Sequence, residues 1–158
     1  MQACLKTVCL VAILILMSAC KPATYKEVNM DDPAMIAAIE DARSTLPKFW
    51  EIKSASNIAY SNFGLKVGLA THDNSLEHIW VANIDKSGDS ISGTLENTPV
   101  DIPNKKYGDR VTFTEDQVTD WQYVYKGKLH GHYTTRIMLL SLDGDEKRQV
   151  EALLSETP

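Results

Sequence analysis

Cysteine is scarce in this sequence, and all three cysteines, Cys4, Cys9 and Cys20, fall within the first twenty residues. From Lys21 onward no thiol remains. That excludes a disulfide, a zinc–thiolate site and a cysteine nucleophile from the rest of the chain. Long apolar runs are also missing. The longest, residues 8–17 (VCLVAILILM), is ten residues, whereas a membrane-spanning helix needs roughly 20. Basic clusters are no larger than the pairs Lys105-Lys106 and Lys147-Arg148, and the net charge is −5. Nucleic-acid phosphates call for clustered Lys and Arg, so no nucleic-acid partner is expected. After Cys20 there is no G-x-S-x-G elbow, no S-x-x-K and no Gly-rich phosphate loop. The usual signatures of serine hydrolases and nucleotide binders are therefore absent.

The N-terminus, in contrast, carries an address. Lys6 precedes the ten-residue apolar run, and Leu16-Met17-Ser18-Ala19-Cys20 follows it. A positive charge, a short apolar stretch and small residues before a cysteine form a lipoprotein signal. Met17 stands where leucine is commonest. Residues 1–19 are thus expected to be a signal peptide, cut before Cys20 once its thiol is acylated. Residues 20–30 are then the lipidated cysteine and a polar tether. Two or more acyl chains anchor stably, at about 0.8 kcal/mol per buried CH₂. The expected partner is therefore a membrane, reached through lipid on Cys20. In lipoproteins of enterobacterial type, Asp after that cysteine retains the protein in the inner membrane. Here the sorting residue is Lys21, which points to the outer membrane with the domain in the periplasm.

Residues 31–158 are expected to form a single α+β domain. Asp32 is placed as an N-cap with Pro33 at the first helical position. Met35, Ile39, Ala42 and Leu46 make one helical stripe, which Pro47 should end. Phe63, Leu65, Val67 and Leu69 alternate with Gly64, Lys66 and Gly68, a half-buried strand. Residues 78–84 (HIWVANI) suit an inner strand, with Trp80 in the core. Ile91, Gly93 and Leu95 form its antiparallel partner. Val111 and Phe113 make a short strand. Trp121, Tyr123 and Tyr125 line one side of another. Tyr133, Ile137 and Leu140 fit a helix, although Thr134-Thr135 and Ile137 could also serve a strand, and Asp143 with Glu146 suggests a capping box before a last helix bearing Val150, Leu153 and Leu154. The resulting fold class is a twisted, mostly antiparallel sheet with an N-terminal helix and C-terminal helices. Closure into a barrel is an open alternative.

The runs HIWVANI, SGTLEN, PVDIP, YGDRVTFTEDQVTDWQYV and GKLHGHYTTRIML resemble the YegJ-like family, the domain of unknown function numbered 2314. The resemblance covers about residues 31–150. Its most specific stretch runs from Gly108-Asp109 to Tyr123 and includes the Asp120-Trp121 pair. Gly127, Gly131 and Arg136 also match the family pattern. The resemblance implies a small secreted or lipid-anchored domain and carries no activity or cofactor.

Several constellations are candidates for chemistry. His130-Gly131-His132 is the only tight histidine pair. On a strand, residues i and i+2 project to one side and can share a metal, with His72, Asp73, Glu77 or His78 as third ligand. The alternative is a solvated turn, and no resident metal is expected. Glu77-His78 with Ser75, or Asp120 with His130, can be drawn as a triad, but any chain of this length supplies such sets, and no catalytic residue is assigned. Trp121, Tyr123 and Tyr125 are either a binding surface for peptide or glycan or a packed core face, with Tyr125 the better surface candidate. Arg136 can pair with Asp120 or Asp116. Thr114-Glu115-Asp116-Gln117 reads as one capped helical turn. The function expected is a non-enzymatic envelope module that binds a protein, peptide or glycan. The alternatives are a small hydrolase or metal-dependent enzyme, and an immunity-type inhibitor of an envelope toxin.

Overall fold

A computed structural model of the protein describes residues 31–158. The expected signal peptide, Cys20, Lys21 and the tether lie outside the described residues. Among the described residues no helix is long and apolar enough to cross a membrane.

Helix α1 (Pro33–Ser54) starts as the sequence predicts. Asp32 Oδ1 accepts the Ala34 N–H at 2.8 Å, and Pro33 sits where a missing N–H is tolerated. Its buried stripe is Met35, Ala38, Ala42, Leu46 and Phe49. Pro47 does not end the helix, which continues through it to Ser54. Pro47 lies on the solvent side, and Phe49 beyond it is fully buried, with Trp50 and Ile52 packed on the same core. That burial offsets the roughly 3 kcal/mol an interior proline costs.

Six strands follow: β1 (Tyr60–Ala70), β2 (Leu76–Ser87), β3 (Ser90–Leu95), β4 (Arg110–Phe113), β5 (Val118–Tyr125) and β6 (Lys128–Gly131). They form one antiparallel sheet in the order β4-β3-β2-β1-β5-β6. The sheet is open, so the barrel alternative is set aside: four-residue edge strands leave too little length to pair across a closing seam. Between β4 and β5 lies the expected single turn, Glu115–Gln117, where Gln117 Oε1 accepts the Thr114 N–H. Two helices end the chain, α2 (Tyr133–Leu139) and α3 (Gly144–Leu153). Asp143 holds the N-cap position of α3 but makes no side-chain cap bond, so the expected capping box is not formed. Leu153 and Leu140 face solvent, while Leu154 is buried. The Ser155 N–H donates to Leu129 O, which lays the chain end beside β6.

Strand register assigns the two faces of the sheet. Trp121, Leu65, Val81 and Leu95 are cross-strand neighbours, all buried beneath α1. One residue along each of β5, β1 and β2, Asp120, Lys66 and Trp80 form a second row on the opposite face. A bulge sets this phase. Val118 pairs with Val67 and Asp120 with Lys66, which leaves Thr119 as the extra residue. Without it, Val118 and Asp120 would share a face. With it, Val118 joins the core and the Asp120 carboxylate turns away from it.

Candidate functional site

The aromatic side of β5 is core. Trp121 is 1 % exposed and Tyr123 4 %. Trp121 Nε1 donates to Ala42 O at 3.0 Å, and its ring stacks on Tyr123 at 5.5 Å. Neither residue is available as a binding surface: Trp121 lies against Ala42 and Phe49 of α1, and Tyr123 is packed among Tyr60, Phe63, Trp121 and His130. Tyr125 is half-buried, stacked on Tyr60 at 4.5 Å with Lys126 Nζ over its ring.

The histidine pair is split. His130 lies on β6 and stacks on Tyr123 at 5.1 Å, on the α1 side. His132 has left the strand. Its φ is +54°, it occupies the N-cap position of α2, and its ring packs on Trp80 at 5.0 Å, on the other side. Gly131 makes the corner at φ +79°, where a Cβ would stand 2.0 Å from Trp121 O. The i, i+2 rule fails because the strand ends between the two histidines.

The residues offered as further ligands or as a triad are engaged elsewhere. His72 Nδ1 lies 2.9 Å from Asp101, which raises its pKa. Asp73 accepts the Thr71 hydroxyl at 2.6 Å and the Ser75 N–H at 3.1 Å; these bonds hold its carboxyl at about 2. Both Glu77 oxygens take backbone N–H groups, of Val100 and Asp101, at 2.9 Å. His78 Nδ1 lies 3.2 Å from Thr119 Oγ1. Among the described residues no group of three or more His, Cys, Asp or Glu is placed to hold a metal ion. Arg136 pairs with neither Asp120 nor Asp116. It donates to Gly131 O at 3.2 Å and to Ser155 O at 2.9 Å, tying the chain end to the β6 corner.

What gathers on the second face is a cluster that the sequence did not announce. Asp120 is fully buried and accepts four hydrogen bonds. Oδ1 takes the N–H groups of Trp121 and Tyr133, and Oδ2 takes the Thr134 N–H and hydroxyl at 2.8 and 2.7 Å. Asp120 thus caps α2 from another strand, in place of His132, whose side chain makes no cap bond. Burial pushes the Asp120 carboxyl up, and the four donors oppose that by favouring the ionised form. The Thr134 hydroxyl spends its proton on Asp120, so its lone pair receives Lys66 Nζ at 3.3 Å. Burial lowers the Lys66 pKa, while Asp120 works against the shift.

Beside this relay lies a cavity of about 320 Å³ between the sheet and the two C-terminal helices. Lys66, His78 and Trp80 form its sheet wall, and Met138 of α2, Leu142 of the turn after it and Val150 of α3 form the facing wall. Glu146 of α3 also borders it. Trp80, expected in the core, is half-buried at this wall because β2 turns it away from α1. Burial, then the Lys66 and Arg43 charges, lower the His78 pKa. His132, behind Trp80, is held at about 4 by burial and by Arg136 and Lys66. Its Nδ1 lies 3.0 Å from Thr135 Oγ1, and its buried Nε2 has no hydrogen-bond partner among the described residues. A lysine inside an apolar strand gave the only sequence signal of this site, and without the register Lys66 reads as solvent-facing.

The fold defines a small open-sheet α+β domain, and comparison with known sequences gives its family. Residues 32–154 match the family model described as "Uncharacterized protein conserved in bacteria (DUF2314)". The chain belongs to this family. It is similar to the "Uncharacterized protein YegJ" of Escherichia coli, at 27% identity over 124 residues, covering 78% of this chain and 79% of that one. It is also similar to a putative ankyrin repeat protein of Neisseria meningitidis serogroup B, at 26% identity over 132 residues. That match covers 79% of this chain but 52% of the relative, so the chain spans about half of that protein. No solved structure matches the chain.

Proposed function

We propose that this protein is a non-enzymatic binding module of the bacterial envelope, carried by lipid on Cys20 and facing the periplasm from the outer membrane. The observation that carries the binding role is the cavity between the sheet and the C-terminal helices. Its walls combine an aromatic ring, Trp80, and aliphatic side chains with one half-buried cation, Lys66. Mostly apolar concavities with a few fixed polar groups are the common form of ligand sites. The anchor is supported by the LMSAC sequence after a ten-residue apolar run. Partners reached at Trp121 and Tyr123 lose their support, since both are buried, and only the half-buried Tyr125 is left of that surface. The hydrolase and metal-dependent readings lose theirs, since His130 and His132 face opposite sides and Ser75, Glu77 and His78 are bonded apart from one another.

Native mass spectrometry of the intact protein extracted from envelopes tests the binding role. A retained species of defined mass is expected on the wild type. It should be absent from Met138→Trp, in which the cavity is filled. The same species on both proteins would place binding elsewhere.

A further inference from the structure

The geometry points to a ligand class for the cavity: a small molecule with an apolar body and a single carboxylate, the carboxylate on Lys66 and the body against Trp80 and the α2–α3 wall. This rests on the binding role proposed above and specifies its ligand.

Three observations carry it. The first is the unfilled capacity of Lys66. An ammonium has three N–H donors, and Thr134 Oγ1 is the only hydrogen-bond acceptor for Nζ among the described residues. Lys66 is half-buried in a cavity wall, so its remaining donors border the cavity. A carboxylate supplies the charge-assisted bonds that are missing.

The second is the sign of the local charge. Asp120, the cross-strand neighbour of Lys66, has its two oxygens occupied by four donors from the backbone and Thr134. Lys66 is the one cation on the cavity lining among the described residues, and it stands on the sheet wall. Glu146 is the one acid on the cavity lining and belongs to α3. An anion accordingly seats at the sheet wall with its body towards the helices.

The third is size and lining. About 320 Å³ suits a molecule of roughly a dozen heavy atoms, at the small end of ligand sites. Trp80 offers a flat ring, and Met138 a side chain that adapts to varied shapes. Inorganic phosphate or a free sugar would leave this apolar surface unmatched.

The test uses the full-length chain purified in detergent, with hexanoate, octanoate, 3-phenylpropionate and 4-phenylbutyrate as probes. Saturation-transfer NMR and tryptophan fluorescence report binding, and the matching neutral amides are controls. At least one acid should bind with a dissociation constant on the order of 0.1 mM, at least tenfold tighter than its amide. Lys66→Met should remove the preference for acid over amide, and Glu146→Gln should strengthen acid binding. Met138→Trp should abolish both, with melting curves showing that each variant is folded. Acid and amide binding equally, or an acid preference that survives Lys66→Met, would overturn the proposal. If no probe binds and the species retained by mass spectrometry has another chemistry, the ligand class is wrong and the binding module stands. If no retained species depends on the cavity either, both fall.

Discussion

Asp120 concentrates more of the local structure than any other side chain on its face. It satisfies three backbone N–H groups and one hydroxyl, and through Thr134 it orients Lys66. Asp120→Ala removes the acceptor and leaves the α2 N-terminus with buried, unpaired donors. A loss of roughly 2–4 kcal/mol is expected, read from denaturant melts. Hydrogen exchange should rise first at residues 133–139; protection unchanged there would refute the capping role. His132 makes a separate prediction in pH. Its folded pKa is about 4 against 6.5 for the unconstrained group. Between those values the unfolded chain takes up a proton that the folded chain refuses. Stability contributed by neutral His132 is therefore complete above about 6.5 and falls as pH drops towards 4, by on the order of 3 kcal/mol in all. His132→Asn keeps a residue that tolerates the positive φ and should flatten this part of the stability–pH curve, whatever its absolute stability. A slope unchanged by the substitution would assign the titration to another group.

At the scale of elements, β5 shows how a sequence pattern can be correct in phase and silent on direction. Alternation places Trp121, Tyr123 and Tyr125 on one side, and they do lie on one side. It cannot say whether that side meets solvent or α1. Trp121→Ala is expected to cost about 3–5 kcal/mol, because it empties a closed site beneath Phe49 and Ala42. Tyr125→Ala, at the half-exposed end of the stack, should cost markedly less. Thermal melts of the two variants decide it, and equal losses would mean that the stack is buried throughout. Local signals made α1 legible at its start: Asp32, Pro33 and the apolar stripe. They misjudged its end, because the fully buried Phe49 lies two residues beyond the proline that marked the stop. The second face was not legible. Lys66, Trp80 and Asp120 stand 14 and 54 residues apart in sequence, counted from Lys66, and become neighbours only through two strand pairings and the Thr119 bulge. No spacing within a single segment carries that information.

For the whole molecule, the expected anchor and the described domain divide the chain at about residue 30. The anchor is tested without reference to the cavity. Metabolic labelling with palmitate should mark the wild type and not Cys20→Ser, and an unlabelled wild type would end the lipoprotein reading. Lys21→Asp should move the protein towards the inner-membrane fraction on density separation of envelopes. Wild-type protein already in that fraction would show that Lys21 does not direct it outward.

The chain end held against β6 bears on how this protein can be handled. Leu154 and Ser155 run parallel to Leu129, and Arg136 fastens them there. They occupy part of a sheet margin whose backbone groups would otherwise be free to recruit another strand. Trimming the last five residues, or fusing a bulky reporter directly to Pro158, would uncover that margin. The expected symptom is self-association in concentrated preparations, with the cavity chemistry intact. A reporter joined through a flexible spacer would leave the seal in place.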